Sequence, residues 1–439
     1  MREVREEHTR QGLHAHLDLA RIEREARSCF HRAHALRERF FTFVQCGIGG
    51  SALGNVAVHT ALPGNRSVLV LDNLDPDSFP TFAQGLDRTF FHVVSKSGET
   101  LETLAQFLIV TEVLEGALGP RWREHIVVTT SRRDSALAQV CEQQGIEMLS
   151  LEPRLGGRFS YMSPVGLLSL AFAGRDPMAL VRGARAAAER CLSERSPALA
   201  YALLLQRMLE AGRRIAVFWP YSERLWGLAL WWRQLLAESL GKRCDLEGNE
   251  VRLGPCPYPA LGASDQHSVH QLFMEGPDDK WFTFVELAHY QRRVRVPERY
   301  GEHPSFARIG GRELGEIMRA ELRGTRHALE QAGRPCAALR LGRLDEETVG
   351  ALLMTLECVI TFAGKLLHVD PYDQPGVEAG KRATRALLER EGEAVTEAQR
   401  ILSALAPDPG WVFAAGAEPQ PPAGAGGAEA ESGQAAGRD

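Results

Sequence analysis

Residues 40–54 read FFTFVQCGIGGSALG, in which an apolar, strand-like run passes directly into a loop of glycine, serine and alanine. A second strand-like run, residues 90–94, passes in the same way into residues 95–100, which read SKSGET. Small residues and hydroxyl groups between a strand and a helix let backbone N–H groups and the helix N-terminus hold a phosphate. The two loops therefore predict a site for a phosphorylated ligand.

Neither loop fits a nucleotide-binding pattern. No Gly-Lys-Ser/Thr closes either loop as in a P-loop, and Ala52 stands where Gly-x-Gly-x-x-Gly needs its last glycine. The pairs His31/His34 and His267/His270 have metal-ligand spacing, but the first lies in an Arg-rich helical pattern without Cys or carboxylate partners. The sequence therefore predicts neither a cofactor nor a metal.

Composition is that of an ordinary globular protein. The chain has 439 residues, 44% of them hydrophobic and 24% charged, which favours two domains. The net charge of −5 leaves no overall basic field for nucleic acid or an acidic membrane. Eight cysteines without a Cys-x-x-Cys pair are expected to be buried, reduced thiols. A charged N-terminus and no run of about eighteen apolar residues predict a cytoplasmic location.

Strands and helices alternate along the chain after a helical pattern at residues 10–39. In the first half the predicted strands are residues 40–46, 67–71, 90–94, 125–130 and 147–151, and the helices between them include residues 101–118 and 135–144. Such alternation predicts a parallel sheet with helices on both faces. Ligand loops should then gather at the carboxyl ends of the strands, where both quoted loops lie.

The second half repeats this alternation less clearly. A strand at residues 214–219, a helix at 225–240 and a strand at 280–287 indicate a second α/β unit. The predicted fold is therefore α/β with two doubly wound parallel-sheet subdomains. The expected division is an N-terminal helical segment 1–30, a first subdomain 31–185, a second subdomain 186–412 with C-terminal helices, and a disordered Ala/Gly/Pro-rich tail 413–439.

Some polar residues are hard to explain by packing. Arg158 follows Gly156 and Gly157, so its guanidinium can point at an anion, although this motif taken alone favours a surface arginine. Gln234 and Glu238 share one face of an apolar helix, where Glu238 can act as a general base. The alternative for Glu238 is an exposed i,i+4 pair with Lys242.

Three further residues are candidates in or near loops. His267 can supply a proton near neutral pH or can simply brace its polar loop. Pro375 suits a first helical position, which places Gln374 near the N-cap and Lys381 two turns along the same face; the alternative for Lys381 is a solvated lysine. Lys96 lies within the hydroxyl-rich loop, where contact with phosphate is the favoured interpretation.

Taken together, these segments resemble the glucose-6-phosphate isomerase family in its compact bacterial form. The matching segments, in family order, are residues 47–54, 95–103, 156–160, 234–242, 266–268 and 373–381. The resemblance implies two sugar isomerase (SIS-type) subdomains and the interconversion of glucose 6-phosphate and fructose 6-phosphate through a cis-enediol(ate), as a step of glycolysis and gluconeogenesis. It also implies a homodimer in which His267 can act in the neighbouring subunit's site.

The roles carry over position by position from that resemblance. Glu238 is expected to move the proton between C2 and C1, and Arg158 to stabilise the enediol(ate). His267 and Lys381 are expected to assist ring opening. The residues expected to hold the phosphate or line the site are Gly50, Ser51, Ser95, Lys96, Ser97, Thr100, Gln234 and Gln374.

Two alternatives stay open at this point. A bifunctional phosphoglucose/phosphomannose isomerase shares the fold and the phosphate loops, and would turn over mannose 6-phosphate at a comparable rate. A non-catalytic sugar-phosphate sensor would bind the ligand without needing Glu238. An NAD-binding oxidoreductase is less favoured, because the glycine spacing is wrong.

Overall fold

The structure, a computed structural model, describes residues 4, 6–7, 14–82, 84–389 and 393–405. Its described residues up to Gln374 form one compact unit, and those from Pro375 onward form a second. The predicted disordered tail, residues 413–439, lies outside the described residues.

The first sheet holds five parallel strands in the order β2-β1-β3-β4-β5. They are β1 Thr42–Cys46, β2 Ser67–Leu71, β3 Thr89–Val94, β4 Ile126–Thr130 and β5 Glu147–Ser150. Every residue of β3 and β4 is buried, as expected for central strands covered on both faces. Chain order reverses between β1 and β3, which is where ligands bind in open parallel sheets.

The second sheet holds four parallel strands in the order β11-β10-β6-β9. They are β6 Ile215–Pro220, β9 Cys256–Pro259, β10 Lys280–Leu287 and β11 Cys336–Leu341, and a separate hairpin pairs β7 Lys242–Cys244 with β8 Glu250–Leu253. The sequence predicted β6 and β10. The hairpin, β9 and β11 were not predicted, because these runs are short and carry charged or proline residues.

Helices cover both faces of the sheets, which confirms the predicted α/β class with two doubly wound parallel sheets. In the first unit they are α1 Leu19–Arg39, α2 Leu53–Ala61, α3 Leu101–Leu118, α4 Ala136–Gln144, α5 Pro164–Phe172, α6 Pro177–Cys191, α7 Pro197–Glu210, α8 Trp226–Leu240, α9 His270–Glu275, α10 Pro304–Ile309, α11 Leu314–Gln331 and α12 Glu346–Leu367. The second unit contains α13 Glu378–Leu388 and α14 Glu393–Ala404.

Two predicted helix starts differ from the structure. Helix α1 begins at Leu19 rather than near residue 10, because the Asp18 carboxylate accepts a hydrogen bond from the Arg21 N–H and caps the helix there. Near the C-terminus, Pro375 opens a 3₁₀ turn, and α13 begins only at Glu378. Gln374 is therefore not its N-cap, and the predicted common helical face of Gln374 and Lys381 is wrong.

Helix α12 lies in the middle of the largest hydrophobic cluster. A Cβ on Gly350 would lie 2.0 Å from the Leu180 carbonyl oxygen, so glycine allows α12 and α6 to touch backbone to backbone. Among the described helices, α12 alone is long and apolar enough to cross a membrane, with a mean hydropathy of 1.6. Because 78% of that stretch is buried inside the protein, it is accounted for as a core helix.

The predicted subdomain boundaries stay predictions. Residues 30/31 fall inside α1 and residues 185/186 inside α6, and both sheets belong to the same compact unit. The prediction that all cysteines are buried needs correction, because Cys244 and Cys256 are exposed and Cys336 is half-buried. These three cysteines lie on β7, β9 and β11, which are among the strands that were not predicted from the sequence.

Candidate active site

The loops 47–54 and 95–100 lie side by side, because β1 and β3 are neighbours in the sheet. The second loop is closed by its own hydroxyls, since Ser95 Oγ donates to Thr100 Oγ1 at 3.0 Å and Ser97 Oγ accepts from the Glu99 N–H at 3.2 Å. Helix α3 starts after Thr100, whose side chain makes no capping bond. The N–H groups of its first turn therefore face the loop without a side-chain cap at Thr100.

The first loop also touches the turn that carries Arg158. A Cβ added to Gly50 would lie 2.3 Å from the Gly157 carbonyl carbon and 2.5 Å from the Arg158 nitrogen. Ser160 Oγ donates to the Gly157 carbonyl at 2.7 Å and tightens the turn. Only glycine at position 50 permits this backbone contact, which brings the phosphate-type loop against Arg158.

All five N–H donors of Arg158 are used, and its side chain is 1% exposed. Nε donates to Ser239 Oγ at 2.7 Å, and Nη2 donates to the main-chain carbonyls of Pro371 at 2.7 Å and Asp373 at 3.1 Å. Nη1 donates to Glu238 Oε2 at 3.1 Å and Gln374 Oε1 at 2.8 Å. The surface-arginine alternative is therefore wrong, and Nη1 is the nitrogen that faces movable side chains.

Glu238 lies in the last turn of α8 with 31% of its side chain exposed. Its Oε1 accepts from Gln234 Nε2 at 2.9 Å, which confirms that the two residues share a helix face. A Cβ added to Gly49 would lie 3.0 Å from Gln234 Nε2, so the Gln234 side chain lies next to the first loop. The expected alternative, a pair between Glu238 and Lys242, is wrong, because α8 ends at Leu240 and Lys242 turns to Asp373.

The pKa values of two basic side chains in this region are lower than their ordinary values. Burial lowers the pKa of the Lys96 ammonium, and repulsion by the nearby Arg158 lowers it further. Burial also lowers the pKa of the Arg158 guanidinium, which Glu238 partly offsets. A desolvated lysine beside a buried arginine favours binding of an anion, which would relieve the repulsion between them.

His267 is not brought together with this group, and Lys381 belongs to the second unit. His267 is exposed at the end of a 3₁₀ turn, Ser264–His267, and within the described ranges its side chain makes no hydrogen bond or ion pair. Lys381 belongs to the second unit, where its ammonium donates to Glu378 Oε1 at 2.8 Å. The residues that are brought to the edge of the first sheet or to Arg158 are Gly50, Ser51, Ser95, Lys96, Ser97, Thr100, Gln234, Glu238 and Gln374.

Sequence reasoning missed the groups that hold Arg158. These are Ser239, which is fully buried, and the carbonyls of Pro371 and Asp373. Trp231 Nε1 also donates to the Arg158 carbonyl at 3.2 Å. A main-chain carbonyl leaves no signature in a sequence, and a serine beside a glutamate on a helix is unremarkable, so no signal was available for either.

Comparison with known proteins agrees with this geometry. A family model described as phosphoglucose isomerase matches residues 33–401. This chain belongs to the phosphoglucose isomerase family. The match spans both sheets and all of the segments that meet at Arg158.

Several relatives of the phosphoglucose isomerase family cover most of the chain. The glucose-6-phosphate isomerase of Carboxydothermus hydrogenoformans is 42% identical over 85% of this chain and 83% of its own length. That of Rubrobacter xylanophilus is 40% identical over 80% of this chain and 83% of its own length.

Solved structures show the same fold. A hypothetical protein from Thermus thermophilus superposes with a TM-score of 0.81 at 37% identity, covering 89% of this chain and 94% of the other. A glucose-6-phosphate isomerase from Chlamydia trachomatis superposes with a TM-score of 0.74 at 26% identity, covering 87% and 76% respectively.

Proposed function

We propose that this chain interconverts glucose 6-phosphate and fructose 6-phosphate through a cis-enediol(ate), with Glu238 as the base and Arg158 as the electrophilic stabiliser. The observation that carries this proposal is the buried Arg158, whose Nη1 is shared by Glu238 and Gln374 beside the two loops of the first sheet. The family membership and the named relatives support the same activity.

The phosphate of the substrate would sit in the second loop. Ser95, Ser97 and Thr100 offer hydroxyls, Lys96 offers a cation, and the start of α3 offers N–H groups. Gly50 and Ser51 close the site from the neighbouring loop. Because the phosphate is remote from the reacting carbons, its binding energy can orient them without taking part in the chemistry.

The proton transfer needs one carboxylate and one cation. Glu238 takes the proton from C2 of the open-chain aldose, the C–H electron pair becomes the C1=C2 double bond, and the negative charge moves to the C1 oxygen. Glu238 then returns the same proton to C1, while the O2 hydroxyl proton passes to O1 and C2 becomes the carbonyl. Arg158 Nη1 can meet the oxyanion once Glu238 or Gln374 turns away from it.

Ring opening is assigned to His267 and Lys381 on the resemblance alone. The side chain of His267 is exposed, which suits a homodimer in which it serves the site of the neighbouring subunit. The cytoplasmic location belongs to the same proposal.

The first test is conversion of fructose 6-phosphate to glucose 6-phosphate, read through a coupled dehydrogenase, with mannose 6-phosphate in parallel. Glu238→Gln should lose turnover and still bind sugar phosphate, whereas Glu210→Gln, an exposed glutamate at the end of α7, should keep full activity. Comparable turnover of mannose 6-phosphate would favour the bifunctional alternative. Binding without turnover by the unaltered protein would favour the sensor.

Action of His267 in the neighbouring site can be tested by mixing two inactive variants. Subunits carrying Glu238→Gln and subunits carrying His267→Ala are dissociated, mixed and reassociated. If the site takes Glu238 from one subunit and His267 from the other, half the dimers regain one intact site, which restores about a quarter of full activity. No recovery in verified mixed dimers would show that both residues act within one subunit.

A further inference from the structure

We infer that Lys242 is a positioning residue for this isomerisation: through Asp373 it holds the segment 371–374 that fixes Arg158 against Glu238. The inference rests on the proposed function, because it assigns Lys242 a part in orienting the group that meets the enediolate. Among the described residues, Lys242 forms no hydrogen bond or ion pair with Glu238; its hydrogen bonds go to the main-chain carbonyl and the carboxylate of Asp373.

The connection between the two cations is a shared acceptor. Lys242 Nζ donates to the Asp373 carbonyl oxygen at 2.6 Å, and Arg158 Nη2 donates to the same oxygen at 3.1 Å. The flanking residues of that segment accept the neighbouring Arg158 donors, Pro371 through its carbonyl and Gln374 through Oε1. The position of segment 371–374 therefore sets the orientation of the guanidinium, and Lys242 holds the middle of that segment.

Lys242 is itself firmly placed relative to Glu238. It opens β7 directly after α8, and it pairs across the hairpin with Leu253. A Cβ on Gly254 would lie 2.7 Å from Gly241 Cα, so the returning strand packs against the backbone that joins α8 to β7. The short stretch 238–242 therefore positions Arg158 in two ways. Glu238 and Ser239 accept hydrogen bonds from its guanidinium, and Lys242 acts on it through Asp373.

Burial makes this arrangement sensitive to the loss of Lys242. Its side chain is 5% exposed, whereas that of Asp373 is 52% exposed. Without the ammonium, the Asp373 carboxylate can turn to solvent, and among the described contacts the Asp373 carbonyl keeps only its hydrogen bond from Arg158. Tyr372 stays hydrogen-bonded to Thr361, so the loss is confined to the Asp373 end of the segment. A shift of about 1 Å in a group that must meet the transition state can cost about 10²-fold in rate.

The experiment compares Lys242→Met with Lys280→Met. Lys280 is a matched control: it is 3% exposed and donates to the Pro277 carbonyl and the Asp279 carboxylate, but it begins β10, at the amino end of the second sheet. We expect Lys242→Met to lower kcat by about 10- to 100-fold with KM for fructose 6-phosphate changed less than about threefold, because the phosphate loops are untouched. Lys280→Met should lose stability without losing kcat in the folded fraction.

A kinetic isotope effect separates positioning from general damage. With deuterium at the transferred position, slower proton transfer in Lys242→Met should raise the isotope effect on kcat, whereas a partly unfolded population would leave it unchanged. Lys242→Arg, which keeps a cationic donor, should recover most of the lost kcat. If Lys242→Met does not fold, Lys242→Gln removes the charge and shortens the donor to the shared carbonyl, and it should show the same rise in isotope effect.

The outcomes distinguish this inference from the proposed function. An unaltered protein without isomerase activity would overturn the proposed function. If the unaltered protein is active but Lys242→Met keeps kcat within twofold, the positioning role alone is overturned. The same holds if Lys242→Met loses no more activity than Lys280→Met does. An unchanged isotope effect in Lys242→Met, or in Lys242→Gln should that variant be needed, would also overturn the positioning role.

Discussion

Arg158 Nη1 lies 3.1 Å from Glu238 Oε2, and the guanidinium that carries it is otherwise held by Ser239, two main-chain carbonyls and Gln374. The carboxylate proposed as the acid–base group and the cation proposed to stabilise the enediolate are therefore in direct contact. Only one of the two Nη1 acceptors, Glu238 or Gln374, has to turn away for Nη1 to meet the developing oxyanion, so the reorganisation needed is small.

Arg158→Lys should lower kcat by about 10²- to 10³-fold, the usual cost of removing a donor from an oxyanion. Lysine keeps the charge but offers three donors in place of a planar fork of five, so buried acceptors lose their partners. We expect stability to fall by about 1–3 kcal/mol for the same reason. Steady-state kinetics and thermal unfolding measure both, with the exposed Arg207→Lys as the control. Near-normal kcat would remove Arg158 from the mechanism.

Gly50→Ala should disrupt the contact between the first loop and the Arg158 turn. The added methyl group would meet main-chain atoms at 2.3 Å and 2.5 Å, which no side-chain rotation can relieve. We expect both kcat and the affinity for fructose 6-phosphate to fall by at least about tenfold, since the two halves of the site separate. Gly116→Ala on α3, where a Cβ meets nothing within 4 Å, should be neutral or stabilising. Equal behaviour of the two variants would contradict the prediction.

The affinity for substrate should fall at alkaline pH through Lys96. Burial and Arg158 lower its pKa below the ordinary value of 10.5, so its ammonium loses the proton at a lower pH than a solvated lysine does. The phosphate loses its cation in that range, and KM for fructose 6-phosphate should rise as pH increases from 7 to 10. Lys96→Met should show a higher KM that no longer depends on pH there. A parallel rise in both proteins would assign the effect to another group.

Glu357 should make the protein less stable as pH rises above about 4.5. The side chain is fully buried on α12, and neither carboxylate oxygen has a hydrogen-bond partner within the described part of the chain. Burial raises its pKa well above the ordinary 4.5, so above that pH the unfolded chain releases a proton that the folded chain keeps. Stability is then lost with rising pH, at up to about 1.4 kcal/mol per unit, until the folded pKa is reached.

Glu357→Gln removes this titration. Denaturant unfolding between pH 4 and 8 should show the stability of the unaltered protein falling relative to that of Glu357→Gln as pH rises. Glu347→Gln, an exposed residue on the same helix, should track the unaltered protein throughout. A constant difference between Glu357→Gln and the unaltered protein would show that Glu357 keeps an ordinary pKa in the fold.

The sequence allowed prediction of the elements that have strong local patterns. The continuous apolar runs of the first sheet and the long helices α3 and α8 were predicted within a residue or two, because buried strands and long helices have periodicities that need no tertiary information. The strands β7, β8, β9 and β11 were missed. Each is short and half-exposed or carries proline, so its pairing depends on a neighbour distant in sequence.

The same division applies to the site. The phosphate-type loops and the shared face of Gln234 and Glu238 followed from local chemistry and helix geometry. Whether Arg158 was buried could not follow from its neighbours, because its acceptors come from residues at least 80 positions away. The predicted common face of Gln374 and Lys381 is wrong, since a 3₁₀ turn at Pro375–Val377 separates Gln374 from the helix that carries Lys381.

By itself, the sequence determined the parallel α/β class, the two small-residue loops and the residue types available for a proton transfer, since these are properties of short segments. Only the tertiary structure decided that Arg158 is buried, that Glu238 meets it rather than Lys242, and that Lys242 holds Asp373. The physical reason is that a buried cation must satisfy all of its donors. The packing of the helices and sheets decides which distant carbonyls and side chains accept hydrogen bonds from that cation.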